Sequence, residues 1–165
     1  MAALVKKQLA LDANILFDLT QEKDFSHTFR EVLQERGYSL KVPPTVIQEL
    51  TYYALDKQCD ETPFALKALQ QMRAWGIMAW DLIPTGHAIT EQFSNNLIRK
   101  GFLPEGEFND GLILAEVSLA CIPVLATSDG HLLNIDSSYL RIQFEDSDLF
   151  PVGVFHPKQL LAALK

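Results

Sequence analysis

Cysteine is scarce in this chain: Cys59 and Cys121 are the only two among 165 residues. Two isolated thiols make neither a disulfide framework nor a zinc-ligand spacing, so a reducing, cytoplasmic setting is expected. Long apolar runs are missing as well. No stretch approaches the ~20 residues that span a bilayer, so no membrane role is expected. The apolar segment after Lys6 and Lys7 is interrupted by Asp12, Asn14 and Asp18 and lacks a small-residue cleavage pattern. It is therefore not expected to be a secretory leader. Glycines number only eight, and none falls in a loop of the kind that cradles phosphate. Neither a Ser-His-Asp nor a Cys-His grouping stands in a recognisable context, so no side chain is expected to be a dedicated nucleophile. Basic residues are outnumbered, 14 Lys and Arg against 21 Asp and Glu, for a net charge of −7. That is the wrong overall sign for a simple phosphate binder. A nucleic-acid substrate would need a local basic rim, for which Arg99-Lys100 or Arg30, Arg36 and Lys41 are the candidates.

Core-forming residues are plentiful by contrast. Apolar residues make up 48% and charged ones 21%, without repeats or low-complexity tracts. One sizeable core and a single domain over 1–165 are expected. Strand and helix patterns alternate along the chain. A short apolar run over 8–12 reads as a strand, and Ile15, Leu16 and Leu19 place a helix over 13–19. Phe25, Phe29, Val32 and Leu33 mark a helix over 25–36 that stops at Gly37, a natural residue to follow a helix. Tyr38 to Val42 reads as a second strand. Pro43-Pro44-Thr45 then opens a helix, with Thr45 and Gln48 placed like a capping box. Thr62-Pro63 starts another, running to Trp75. Ile77 to Ile83 is strand-like, 87–99 is helical, and Glu107 to Cys121 is an almost wholly apolar helix, hence buried on most sides. Pro123 to Ala126 reads as a buried strand, Leu140 to Phe144 and Val152 to Phe155 as two weaker ones. Pro157 sits where a last short helix should begin. This alternation predicts an α/β fold with a mainly parallel sheet covered by helices on both faces.

Four acids occupy equivalent places in that pattern. Asp12 ends the first strand, and Glu49 borders the apolar stripe of the helix opened by the prolines. Asp110 leads the buried helix, three and four residues before Ile113 and Leu114, and Asp129 follows Val124-Leu125-Ala126-Thr127. All four can face the carboxyl edge of the sheet, where open α/β sheets bind ligands. Each also has a plainer reading. Asp12 would serve as an N-cap, Glu49 and Asp110 as helix-leading acids favoured by the dipole, and Asp129 as a turn residue. A helix N-terminus stabilises an anion by only roughly 0.3–1 kcal/mol, too little to hold several like charges together. Gathered on one edge, the acids call for a hard divalent cation, and all-oxygen ligation favours Mg²⁺ or Mn²⁺ over zinc.

Four segments carry a family likeness. They are Leu11-Asp12-Ala13-Asn14-Ile15-Leu16, the helix with Val46 and Glu49-Leu50, Asn109-Asp110-Gly111-Leu112-Ile113-Leu114-Ala115, and Val124-Leu125-Ala126-Thr127-Ser128-Asp129-Gly130-His131-Leu132-Leu133. In this order and spacing the chain resembles the PIN-domain family, which includes the VapC-type toxin ribonucleases of toxin–antitoxin pairs. The resemblance covers nearly the whole chain. It implies a three-layer α/β/α sandwich, a Mg²⁺- or Mn²⁺-dependent site that hydrolyses RNA, an antitoxin protein as partner, and a homodimer. Its acid positions fall on Asp12, Glu49, Asp110 and Asp129, with Asp12, Asp110 and Asp129 expected on the cation and Glu49 joining directly or through water. Its small polar positions fall on Asn14 and Thr127, which would orient a ligand carboxylate or a water. One departure stands out. Many members carry a further acid two residues after the last aspartate, where this chain has His131, a change that would weaken a second metal position.

The other polar and aromatic residues have simpler expected roles. His131 reads as a hydrogen-bonded helix-start residue, and His27, His87 and His156 as surface or capping residues. Glu116, well off the face of Asp110, is expected in a salt bridge or dimer contact. Tyr52, Tyr53, Trp75 and Trp80 are expected in core or dimer packing rather than stacked on bases. Asp136, Glu145, Asp146 and Asp148 read as a solvated loop. Ribonuclease is the leading function. A catalytically weak or inactive PIN-like module binding RNA or protein is the alternative. A haloacid-dehalogenase-type phosphatase with Asp12 as nucleophile ranks last, because it would need an acid at Asn14.

Overall fold

The computed structural model describes residues 7–164; Lys6 and the outermost parts of the expected 1–165 domain lie outside the described residues. The element order is β1 (Lys7–Leu11), α1 (Ala13–Thr20), α2 (Asp24–Glu35), β2 (Tyr38–Val42), α3 (Pro44–Leu55), α4 (Thr62–Gln71), β3 (Ile77–Ala79) and α5 (Pro84–Arg99). After a 3₁₀ turn at Glu105–Glu107 come α6 (Phe108–Leu119), β4 (Val124–Ala126), α7 (Gly130–Leu133), α8 (Ser137–Asp146), β5 (Gly153–Phe155) and α9 (Pro157–Ala163). The five strands form one parallel sheet in the order β3-β2-β1-β4-β5. Helices flank it to make a three-layer α/β/α sandwich. Among the described residues no helix is long and apolar enough to cross a membrane.

β1 is central because its residues tolerate nothing but burial. Leu9, Ala10 and Leu11 are all buried, as a strand covered on both faces requires. The chain leaves β1 toward β2 and β3 on one side and later returns to build β4 and β5 on the other. The sheet therefore has its topological switch point between β1 and β4, at whose carboxyl ends a crevice forms. Asp12 and Thr127 are the residues that step off these two strands. The backbone carries the ladder one residue past each strand: Asp12 N–H donates to the Ala126 carbonyl at 3.0 Å and Thr127 N–H to that of Phe155 at 3.0 Å.

α6 enters the interior against α5 with almost no gap. A Cβ on Gly111 would lie 2.1 Å from Ser94 Oγ and 2.7 Å from Ser94 Cα, so only glycine permits this approach. Ser94 Oγ in turn donates to the Phe108 carbonyl at 2.6 Å, closing the N-terminal end of α6. The approach thus fixes the neighbouring Asp110 relative to the sheet edge.

Several expectations change. Leu140 to Phe144 belongs to α8 rather than to a strand. Leu140, Ile142 and Phe144 alternate with polar residues, but only Leu140 and Phe144, one helical turn apart, are buried, while Ile142 is exposed. Phe144 stacks on Phe93 of α5 with centroids 4.9 Å apart, and Asp136, instead of lying in a solvated loop, caps α8 through Ser138 and Tyr139 N–H. Glu145 and Asp146 are likewise within that helix. The capping box at Thr45 and Gln48 is absent. Pro43 holds the cap position without a side-chain bond, and Thr45 lies inside the helix. The partner it needs comes from far along the chain. Glu116 Oε1 accepts from Thr45 N–H at 2.9 Å and Oε2 from Thr45 Oγ1 at 2.5 Å. Glu116, 2% exposed, therefore caps α3 from α6 instead of forming the expected salt bridge or dimer contact.

Candidate metal centre

The carboxyl edge collects three of the four expected acids. One carboxylate oxygen each from Asp12, Asp110 and Asp129 lie within 4.8 Å of one another. Asp12 comes from the end of β1, Asp129 from the turn after β4, and Asp110 from the first turn of α6. The plainer readings of Asp12 and Asp129 also hold. Asp12 Oδ1 caps α1 by accepting from Ala13 N–H at 2.7 Å, and Asp129 Oδ1 caps α7 by accepting from His131 N–H at 2.8 Å. Capping uses one oxygen of each carboxylate and fixes the direction of the other.

Asp12 Oδ2 is set by a small network. It accepts from Thr127 Oγ1 at 2.8 Å and from Asn14 Nδ2 at 3.4 Å. Asn14 Nδ2 also donates to Thr127 Oγ1 at 3.1 Å, and its Oδ1 accepts from Ser128 N–H at 3.1 Å. Thr127 Oγ1 further accepts from Asp129 N–H at 3.0 Å, so one buried hydroxyl ties together two of the three acids. Asp110 is different. Its Oδ2 is buried and has no hydrogen-bond partner among the described residues.

Burial and crowding push Asp12 and Asp110 toward their protonated forms. Asp110 is raised to about 9, first by desolvation and then by the charges of Asp12, Asp129 and Glu107. Asp12 is raised mainly by burial, partly opposed by its bonds from Thr127 and Ala13. An unpaired buried carboxylate oxygen among like charges is costly, and a hard cation is the ligand that removes both penalties. The donor set, oxygen only, fits Mg²⁺ or Mn²⁺.

Glu49 is not one of the three converging carboxylates. It lies partly buried on α3, where its Oε1 accepts from Asn109 Nδ2 at 2.9 Å. Burial, then the charges of Asp12, Glu116 and Glu107, raise it to about 7. Glu107 went unnoticed in the sequence, although it stands one helical turn before Asp110. His131 Nε2 lies 3.6 Å from its Oε1. The remaining histidines are dispersed. His156 caps α9, His87 is exposed, and His27 is partly buried against Trp75 rather than at the surface.

The basic rim is narrower than the sequence implies. Arg36, two residues before β2 begins, bonds the Leu164 carbonyl, and Arg30 bonds the Trp75 carbonyl just before β3. Both lie at the amino edge of the sheet, opposite the acids. Arg99-Lys100 closes α5 at the end from which the chain turns into α6, and Lys41 lies near the carboxyl end of β2.

No protein-family model matches the sequence, and no curated protein is detectably similar to it. Solved structures are. The first is a chain of VapBC2 from Rickettsia felis bound to a DNA fragment from its promoter, with 17% identity and TM-score 0.60 over 89% of this chain and 98% of that one. The second is FitAB bound to IR36 DNA, with 19% identity and TM-score 0.51 over 90% and 94%. The third is FitAcB from Neisseria gonorrhoeae, with 16% identity and TM-score 0.51 over 91% and 98%. At such identities the likeness speaks for fold: with its five parallel strands, flanking helices and near-complete overlap, this chain has the PIN-like α/β/α fold that its motifs predict.

Proposed function

We propose that this chain is a divalent-metal-dependent endoribonuclease of the VapC toxin type, held in check by an antitoxin protein. The observation that carries the reading is Asp110 Oδ2, buried without a partner among three carboxylates within 4.8 Å. Asp12, Asp110 and Asp129 would hold the cation, with Glu49 joining through water. The cation supplies positive charge that activates a water and stabilises the negative charge developing on a scissile phosphate. Thr127 and Asn14 keep Asp12 Oδ2 in place, which fixes the ligand direction before substrate arrives. Glu49, held by Asn109 at the edge of the cluster, would accept a proton from the attacking water. Arg99-Lys100, on the site side of the sheet, offers the local positive charge an RNA backbone needs.

The antitoxin rests on the VapBC2 and FitAB likeness together with the family resemblance, and a homodimer and a cytoplasmic location on the resemblance alone. A second reading has one observation of its own. His131 stands where many members of the resembled family carry a further acid and lies 3.6 Å from Glu107 Oε1, an arrangement that a non-cutting module binding RNA or protein would tolerate. Cleavage of a labelled mixed-sequence single-stranded RNA decides between them. Cutting with Mn²⁺ or Mg²⁺, lost with chelator and in Asp110→Asn, is expected. Metal binding without cutting by the wild type would favour the second reading.

A further inference from the structure

Beside the carboxylates lies a cavity of about 470 Å³ lined by Gln48, Glu49, Tyr52, Tyr53 and Asn109. Glu49 and Asn109, hydrogen-bonded to each other, both line it, and Asn109 directly precedes Asp110. Tyr52 is 68% exposed, so of the core or dimer packing expected of it the core half does not hold. It is nevertheless held firmly. Tyr52 meets Tyr53 edge-to-face at 5.9 Å, and Tyr53 meets Phe17 the same way at 6.0 Å. The Tyr53 carbonyl also accepts from Thr62 Oγ1 at 2.8 Å, tying α3 to the start of α4.

We propose that this cavity is a nucleobase subsite: it receives one unstacked base of a single-stranded RNA, next to the phosphate held at the carboxylates, with Tyr52 as the stacking platform. The lining contains no cation, so it is unsuited to phosphate and suited to a neutral planar group. Gln48 and Asn109 bring amides, which carry both donors and acceptors and so match the edges of bases. An exposed ring on a rigid mount loses little freedom when a base stacks on it. The subsite deepens the ribonuclease reading and rests on it for the location of the phosphate. It makes Tyr52 a residue that selects unpaired substrate, since a base inside a duplex cannot reach it.

The test uses the full wild-type chain with Ca²⁺, a hard cation that oxygen ligands hold, in place of Mg²⁺ to slow cutting, and a fluorescein-labelled mixed-sequence RNA hexamer as probe. Adding Tyr52→Ala should weaken binding by roughly five- to a hundred-fold, the range for loss of one base–aromatic stack. Tyr52→Trp should restore it, and an abasic hexamer should bind parent and Tyr52→Ala equally weakly. Unchanged binding in Tyr52→Ala, failure of Tyr52→Trp to restore it, or no RNA binding by the parent would overturn the subsite. So would loss of self-association in Tyr52→Ala with RNA binding intact, which would assign the patch to a second copy of the chain. The two readings fail separately. Tyr52-dependent RNA binding without metal-dependent cutting by the wild type removes the nuclease and keeps the subsite. Cutting whose KM is indifferent to Tyr52→Ala removes the subsite and keeps the nuclease.

Discussion

Two buried acids on the same helix meet opposite fates. Glu116 and Asp110 both lie on α6, are 2% and 6% exposed, and are both raised in pKa chiefly by burial. Glu116 has each oxygen bonded by Thr45 and sits at the N-terminal end of α3, where the helix dipole favours an anion. Asp110 has an oxygen with no partner and two more carboxylates close by. Burial alone therefore does not mark a functional acid; burial left unsatisfied does. Glu116 is structural because the fold completes its bonds. On the proposed reading, a divalent cation would complete the bonds of Asp110.

Replacing Asp110 breaks the comparison most sharply. Asp110→Asn keeps the shape and removes the charge, so it should stabilise the metal-free protein while abolishing the rise in Tm that Mg²⁺ or Mn²⁺ produces. RNA cleavage should fall by about 10²–10³-fold, as for loss of one preorganised charge-stabilising group. Calorimetry with and without metal checks the first part. A metal-free variant less stable than wild type would return Asp110 to the role of a helix-leading acid. Thr127→Val should act next most strongly. It deletes the hydroxyl that donates to Asp12 Oδ2 and accepts from Asn14 and Asp129, and Mn²⁺ affinity should drop by about 10–100-fold. Titration calorimetry measures it, and an unaltered affinity would mean that Asp12 needs no such support.

Glu116→Ala probes the other side. It strands the buried Thr45 N–H and hydroxyl, each worth roughly 1–3 kcal/mol when unsatisfied, and should lower Tm by several degrees. The shift in Tm produced by metal should not change. Loss of that shift would show that Glu116 belongs to the site after all, through its hold on the helix that carries Glu49.

The contrast also explains what the sequence reveals. Asp12, Asp110 and Asp129 are legible because each is tied to a local event, a strand end or a helix start that periodicity detects. The remote cap from Glu116 to Thr45 spans 71 positions, and Thr45 followed by Gln48 mimics a local capping box, so the local reading prevails. Leu140 to Phe144 fails for a related reason. Over five residues period two and period four coincide at Leu140 and Phe144, and only Asp136, placed to cap, tips the balance to helix. His131 and Glu107 are separated in sequence by most of a βα unit, so their pairing follows from the fold alone.

The gentlest test is pH. Asp110 has a folded pKa of about 9 and Glu49 of about 7, against ordinary values of 3.8 and 4.5. Both are raised, so the folded state binds protons more tightly than the unfolded chain, and their contribution is fully present only below the ordinary values. It is lost as pH rises, through about 7 for Glu49 and about 9 for Asp110. Above pH 7 Glu49 has largely finished, which leaves Asp110, alongside the likewise raised Asp12 and Glu116, to set the slope. Metal-free stability should then fall between pH 7 and 9, by up to about 1.4 kcal/mol per pH unit for each proton lost. Asp110→Asn should flatten this slope. Saturating Mn²⁺ should do the same or reverse its sign, because the metal takes the deprotonated carboxylates and releases their protons. Urea unfolding at pH 7, 8 and 9 gives the slope for each form. If it persists in Asp110→Asn, the proton belongs to another buried acid, and the distinction between Asp110 and Glu116 loses its electrostatic basis.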